Sequence, residues 1–269
     1  MHNPHHWYEF GPLQAPGVLR LALEWRVGWE YGAMLAAQPL LRLAPRGDGH
    51  PVLVFPGLLA SDVTTLPLRR YLKNRGYAAY PWELGFNLGP RERVVEASLA
   101  RVKELRRQHG RRVSLIGWSL GGLYAREFAK EAADDVRSVI TLGTPFTGHP
   151  KATNAWRLYE FATGHKIGAP EIHEPLRAPP PVPTTSIYSR SDGIVAWPCS
   201  LNPDAAHTEN VEIQASHLGM GMNPLALYAI ADRLAQDPAS WRRFDIHGAR
   251  RWFYKIPGHA PGPAVAAAA

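Results

Sequence analysis

Val113-Ser114-Leu115-Ile116-Gly117-Trp118-Ser119-Leu120-Gly121-Gly122 is the stretch on which the reading of this chain turns. Residues 113–116 are a short, mostly apolar run of the kind carried by a strand buried on both faces. From Leu120 to Glu131 the apolar spacing becomes helical. A Gly-x-Ser-x-Gly motif between a strand and a helix forces a sharp turn that lifts the serine hydroxyl above the sheet edge. Gly117 and Gly121 omit the Cβ that would collide with the neighbouring strand or helix. The helix beyond the turn points its positive end at any negative charge developing there. Ser119 is therefore the candidate nucleophile.

Working outward, strands and helices alternate. Strands are expected at Val52–Phe55, Tyr77–Trp82, Val136–Leu142, Thr184–Tyr188 and Val211–Ala215, and helices at about Asp62–Arg75, Arg91–His109 and Pro224–Gln236. This order predicts an α/β protein with a mostly parallel, doubly wound sheet and helices on both faces. The regularity lapses between Pro145 and Pro183, and a break that long inside a domain reads as a functional insertion at about 145–182. Before the sheet, residues 18–38 read as a helix packed on the body, with an apolar stripe at Leu21, Trp25 and Trp29 and an end at Pro39. The domain plan is thus an N-terminal helical extension over 1–49, a main domain over 50–256, and a disordered Pro/Gly/Ala tail over 257–269.

Composition narrows the classes. The chain has 269 residues, 45% apolar and 20% charged, an ordinary globular balance. A single cysteine, Cys199, excludes an intrachain disulfide framework and a Cys-rich zinc site. The N-terminus lacks the basic and apolar regions of a secretory signal, and the uncharged run Tyr31–Leu41 is too short to span a bilayer. A cytoplasmic location is expected, with peripheral membrane association open. The net charge of +7 comes with no nucleic-acid motif, so no nucleic-acid partner is expected.

A serine hydroxyl needs a base within hydrogen-bond reach. Of twelve histidines, His217 follows the last expected strand at its C-terminal end, where open α/β sheets place ligands; the others fall in termini, loops or a helix end. The acid that orients the base is read as Asp192, which follows Thr184–Tyr188, in preference to Asp204 in its Asn-Pro-Asp loop. The chain order Ser119, Asp192, His217 is that of the α/β-hydrolase plan. Two backbone N–H groups are expected to hold the oxyanion, Leu120 beside the nucleophile and Leu58 in the loop Phe55–Leu59, with Leu59 as the alternative to Leu58.

Together, Val52–Leu59, Ile116–Gly122, Thr141–Gly148, Ser191–Val195 and Ser216–Gly219 resemble the lipase and esterase branch of the α/β-hydrolase superfamily. Phe55-Pro56 stands where many lipases have a His-Gly pair, and Trp118 holds a place often taken by His. The resemblance covers roughly residues 50–236. It implies the α/β-hydrolase fold with a cap- or lid-like insertion after the sixth strand. It also implies carboxylic ester hydrolysis through an acyl-enzyme, with no cofactor and no metal.

Trp118, Phe146, Trp82, Phe86 and Trp156 are the candidate substrate-binding residues, because an apolar acyl chain or aryl ester buries well against aromatic groups at strand ends. The expected partner is a small ester or a lipid, with contact to a lipid surface open. Acyl transfer, phospholipid or thioester cleavage by the same triad, and a non-catalytic ligand-binding role remain the alternatives.

Overall fold

The computed structural model describes residues 14–148, 150–164 and 174–257. The tail after residue 257 and His2, His5, His6, His149, His165, His173 and His259 lie outside the described residues. Six strands form one fully parallel sheet: β1 Pro51–Phe55, β2 Ala78–Pro81, β3 Val113–Trp118, β4 Val136–Leu142, β5 Thr184–Tyr188 and β6 Thr208–Glu212, in the order β2-β1-β3-β4-β5-β6. Pro81 has no N–H to give a ladder, and β2 sits at the edge, where that is tolerated.

Side chains alternate across the sheet and separate two cores. Val52 and Val54 meet Leu68 and Leu72 of α4 (Leu66–Asn74) and Leu227 and Ile230 of α9 (Pro224–Leu234). Leu53 and Phe55 meet Val102 and Leu105 of α5 (Glu92–His109) and Tyr124 and Phe128 of α6 (Leu120–Glu131). The expected doubly wound architecture is the one observed. Phe55 pairs with Gly117, Trp118 with Leu142 and Leu142 with Ile187. The loops after β1, β3, β4 and β5 therefore open on one edge, at the point between β1 and β3 where the strand order reverses. Such switch points are where open sheets hold ligands.

Four boundaries depart from the sequence reading. The last strand is Thr208–Glu212 rather than Val211–Ala215, because buried Glu209 and Glu212 pair with Arg233 and Arg190 and so occupy inward positions that hydrophobic periodicity assigns to apolar residues. The helix expected from Asp62 starts at Leu66, since the Asp62 carboxylate accepts from the amides of Trp82 and Glu83 (3.0 and 3.1 Å). The segment 145–182, expected as an insertion after a sixth strand, follows the fourth strand of this sheet; it carries α7 (Trp156–Thr163) and α8 (Glu174–Arg177), with 165–173 outside the described residues.

The fourth departure is the N-terminal helix. It is broken into α1 (Val18–Ala22), a 3-10 turn at Leu23–Arg26, α2 (Val27–Ala36) and α3 (Gln38–Leu41), and Pro39 sits in the first turn of α3 instead of ending the run. It packs on the body with the opposite face from the one expected. Trp25 and Trp29 are 89% and 82% exposed, while Glu24 and Glu30 are buried. The charged row turns inward because backbone N–H groups of the body wait there for acceptors. Among the described residues, no helix is long and apolar enough to cross a membrane.

Candidate active site

Ser119 has φ 53° and ψ −121°, one of three non-glycine residues in the positive-φ region among the described residues. A backbone there costs about 1–3 kcal/mol and persists only where its surroundings impose it. Here the Ser119 N–H donates to the Leu142 carbonyl (2.8 Å) and the Gly122 N–H to the Ser119 carbonyl (3.0 Å). A Cβ on Gly117 would lie 2.2 Å from the Gly121 carbonyl oxygen, and one on Gly121 only 2.4 Å from that of Phe55. Both glycines are thus required by backbone, as the motif predicts. The elbow leaves Ser119 half-buried, between a covered strand and a covered helix.

Asp192 and His217 are brought together. Asp192 Oδ2 lies 2.7 Å from His217 Nδ1, and both residues are buried. The other carboxylate oxygen, Oδ1, accepts from the amides of Ile194 (2.8 Å) and Val195 (2.7 Å), so the turn role and the histidine contact coexist in one side chain. Burial pulls the His217 imidazole down, but the Asp192 charge and hydrogen bond, with the charge of Glu24, outweigh it. Its pKa is raised above the ordinary 6.5. A Cβ on Gly143 (φ 54°) would stand 3.0 Å from His217 Nδ1 and 3.1 Å from Asp192 Oδ2. Gly143 directly follows Leu142, the residue that anchors the Ser119 amide. Elbow, imidazole and carboxylate therefore converge on the end of β4. The rival Asp204 sits on the surface, paired with Arg243.

The loop after β1 lies against the elbow, with the site of a Gly57 Cβ 3.4 Å from Ser119 Cβ. The Leu59 amide already donates to the Asn87 carbonyl (2.8 Å), which separates it from Leu58. Asn87, fully buried, ties the loop down: Nδ2 donates to the Pro56 carbonyl (2.8 Å) and its amide to that of Ala60 (2.8 Å). Leu120 is the first residue of α6, where an N–H has no partner within the helix.

The five aromatic candidates separate by position. Trp82 and Phe146 are buried; Trp82 stacks on Tyr124, and Phe146 lies under the Arg126 guanidinium at 3.7 Å. Trp118 is also buried, and its indole N–H donates to the His217 carbonyl (3.0 Å), so it braces the histidine loop. Phe86 is exposed, and Trp156 opens α7 half-buried. A surface hollow of 360 Å³ between Pro45 and Arg243 includes none of Ser119, Asp192 or His217 in its lining. Among the described residues, no three His, Cys, Asp or Glu side chains gather as a metal site requires.

Sequence reasoning missed Asn87, Glu24, Arg26 and Glu30. Arg26 Nη2 donates to the carbonyls of Ser191 (2.9 Å) and Ala215 (2.7 Å), on either side of the Asp192–His217 pair. The signal available was a charged row, Glu24-x-Arg26-x-x-x-Glu30, which ordinarily reads as a solvated face.

Comparisons with known proteins agree with this architecture. The family model described as lecithin:cholesterol acyltransferase matches residues 65–175. Among solved structures, the chain is similar to Aspergillus fumigatus lipase B, with a TM-score of 0.55 and 19% identity, over 72% of this chain and 55% of the lipase. It is also similar to an α/β-superfamily hydrolase from Oenococcus oeni PSU-1, with a TM-score of 0.53 and 17% identity, over 72% of this chain and 94% of that one. No curated protein sequence matches. The chain has the α/β-hydrolase fold.

Proposed function

We propose that the chain is a serine carboxylic ester hydrolase of lipase or esterase type, acting through an acyl-enzyme on an apolar acyl or aryl ester. The observation that carries this is the meeting at the end of β4 of a buried Asp192–His217 pair, 2.7 Å apart and packed on Gly143, with a serine at positive φ whose amide is tied to the Leu142 carbonyl. His217 takes the Ser119 proton as Oγ attacks the ester carbonyl, and the N–H groups of Leu58 and Leu120 receive the oxyanion. His217 then protonates the leaving alcohol. Water, deprotonated by the same imidazole, cleaves the acyl-enzyme and restores Ser119. Phe86 and Trp156 are the candidates that present aromatic surface to a substrate, with Trp118 behind the histidine loop.

The test is hydrolysis of p-nitrophenyl esters from acetyl to palmitoyl by the wild type and Ser119→Ala. Turnover that depends on Ser119 is expected; undiminished turnover in the variant contradicts the reading. A second reading, acyl transfer to an alcohol, is favoured by the family match over residues 65–175. Product partition with added alcohol separates the two, since a transferase yields the new ester in place of free acid. The outward Trp25 and Trp29 support contact with a lipid surface, where indoles prefer the interface. Co-sedimentation with phospholipid vesicles, lost in a Trp25→Ser/Trp29→Ser variant, is the expected result.

A further inference from the structure

The row of charges on the inner side of the N-terminal helices reaches the two loops that carry Asp192 and His217. Glu24 Oε1 accepts from the amides of Gly193 (2.7 Å) and His217 (3.0 Å), and Oε2 from the amide of Leu218 (2.9 Å). One carboxylate, 4% exposed, thus binds the backbone directly after the acid and at the base itself. Glu30 holds the preceding residue, accepting from the Ser216 amide (2.6 Å) and hydroxyl (2.8 Å). The close approach is built into the sequence of the loops. A Cβ on Gly193 would lie 2.2 Å from the Arg20 carbonyl oxygen, and one on Gly219 would lie 1.6 Å from Glu30 Oε2.

A buried carboxylate is expensive to desolvate and persists where hydrogen bonds replace its water. Glu24 meets that condition with three backbone donors, all from residues flanking or forming the pair. Hydrophobic residues would pack this helix at lower cost, so the arrangement points to what the charge does at the site. A base that becomes an imidazolium during reaction is stabilised by anions fixed near it. Asp192 is one, in direct contact, and Glu24 is the second, behind the backbone; Glu24 also helps to raise the His217 pKa, after Asp192.

We propose that Glu24 is a positioning residue of the triad: it clamps the Asp192–Gly193 and Ser216–Leu218 loops together and supplies a second fixed negative charge for the His217 imidazolium. Glu30 and Arg26 complete the clamp on Ser216, Ser191 and Ala215. This rests on the triad reading given under Proposed function. The charged groups facing His217 are Asp192 and Glu24, with Arg26 and Glu30 in the layer behind.

The test compares Glu24→Gln, Glu24→Asp and Ser119→Ala on a water-soluble short-chain p-nitrophenyl ester, with folding checked by circular dichroism. Misplacing a catalytic group by about 1 Å costs about 10²-fold, so Glu24→Gln is expected to lose about that much in kcat, with KM little changed. Its acid limb in kcat/KM is expected to move to lower pH, because an anion near the imidazole is gone. Glu24→Asp keeps the charge and shortens the reach, so it lowers kcat with the acid limb in place. If Glu24→Gln does not fold, Glu24→Asp decides alone: a lowered kcat with an unmoved limb supports the clamp, and a wild-type kcat overturns it. A folded Glu24→Gln with wild-type kcat and limb overturns the proposal while Ser119→Ala, if inactive, leaves the triad standing. An active Ser119→Ala overturns both.

Discussion

At the start of β3, Ser114 Oγ lies 2.9 Å from His50 Nε2, and His50 Nδ1 lies 2.5 Å from Asp48 Oδ1. At the other end of the same strand stands Ser119, with Asp192 and His217 gathered beyond it. The two groups share their residue types and differ in everything the chemistry needs. Ser114 lies inside the strand with no exposure, and its hydroxyl is shared with Ser138 Oγ at 2.9 Å. Ser119 is lifted out by its positive φ, next to the first N–H groups of a helix. Asp48 has 44% of its side chain in solvent, so burial wins at His50 and pulls its imidazole down to about 4. Asp192 is buried with His217 and wins instead. A hydrogen-bonded Ser-His-Asp row is therefore a structural tie unless the backbone exposes the serine and a buried anion sustains the base.

The sharpest way to break this comparison is to delete each serine. Ser119→Ala should lower kcat by about 10⁶-fold on a chromogenic ester, whereas Ser114→Ala should leave kcat intact. The opposite ranking would move the chemistry to the wrong end of β3. Next in size is Asp192→Asn, expected to cost about 10⁴-fold in kcat. The acid limb of its residual activity should fall to lower pH, since the principal charge raising the His217 pKa is gone. Asp48→Asn should shift thermal stability and leave the rate alone.

Titration of the two imidazoles sharpens the contrast. His50 takes a proton near 6.5 when unfolded and near 4 when folded, so stability should fall as pH drops through that window, by about 3 kcal/mol from this group. Denaturant melts from pH 7 to 4 of the wild type and His50→Gln would measure it; equal slopes would remove the assignment. His217 has the opposite sign. Its raised pKa contributes stability at pH below 6.5, which is lost as pH rises through the folded value. The same neutral form is the proposed base, so the acid limb of kcat/KM should lie above 6.5 in the wild type. A limb below 6.5 would contradict the balance of burial and Asp192 described here.

The elbow, the sheet and the strand ends that carry Asp192 and His217 are legible in the sequence because each has a local signature: Gly117 and Gly121 around Ser119, and apolar runs ended by turns. The rest depends on partners far along the chain. The row Glu24, Arg26 and Glu30 turned out to face the body because its acceptors and donors lie 165 to 194 residues away, at Ser191, Gly193 and Ala215–Leu218. Amphipathic reading put Trp25 and Trp29 there instead. No sequence motif marks Asn87, and only the folded chain shows it holding Pro56, Leu59 and Ala60. Hydrophobic patterning places the last strand three residues late because its buried glutamates are polar and their arginine partners come from elsewhere.

Mass-spectrometric mapping of the intact protein after reaction with a fluorophosphonate probe bears most directly on this account. One covalent adduct on the peptide containing Ser119, absent when His217 is replaced by alanine in a folded protein, is the predicted result. An adduct on Ser114 or on any other serine, with Ser119 unmodified, would contradict it.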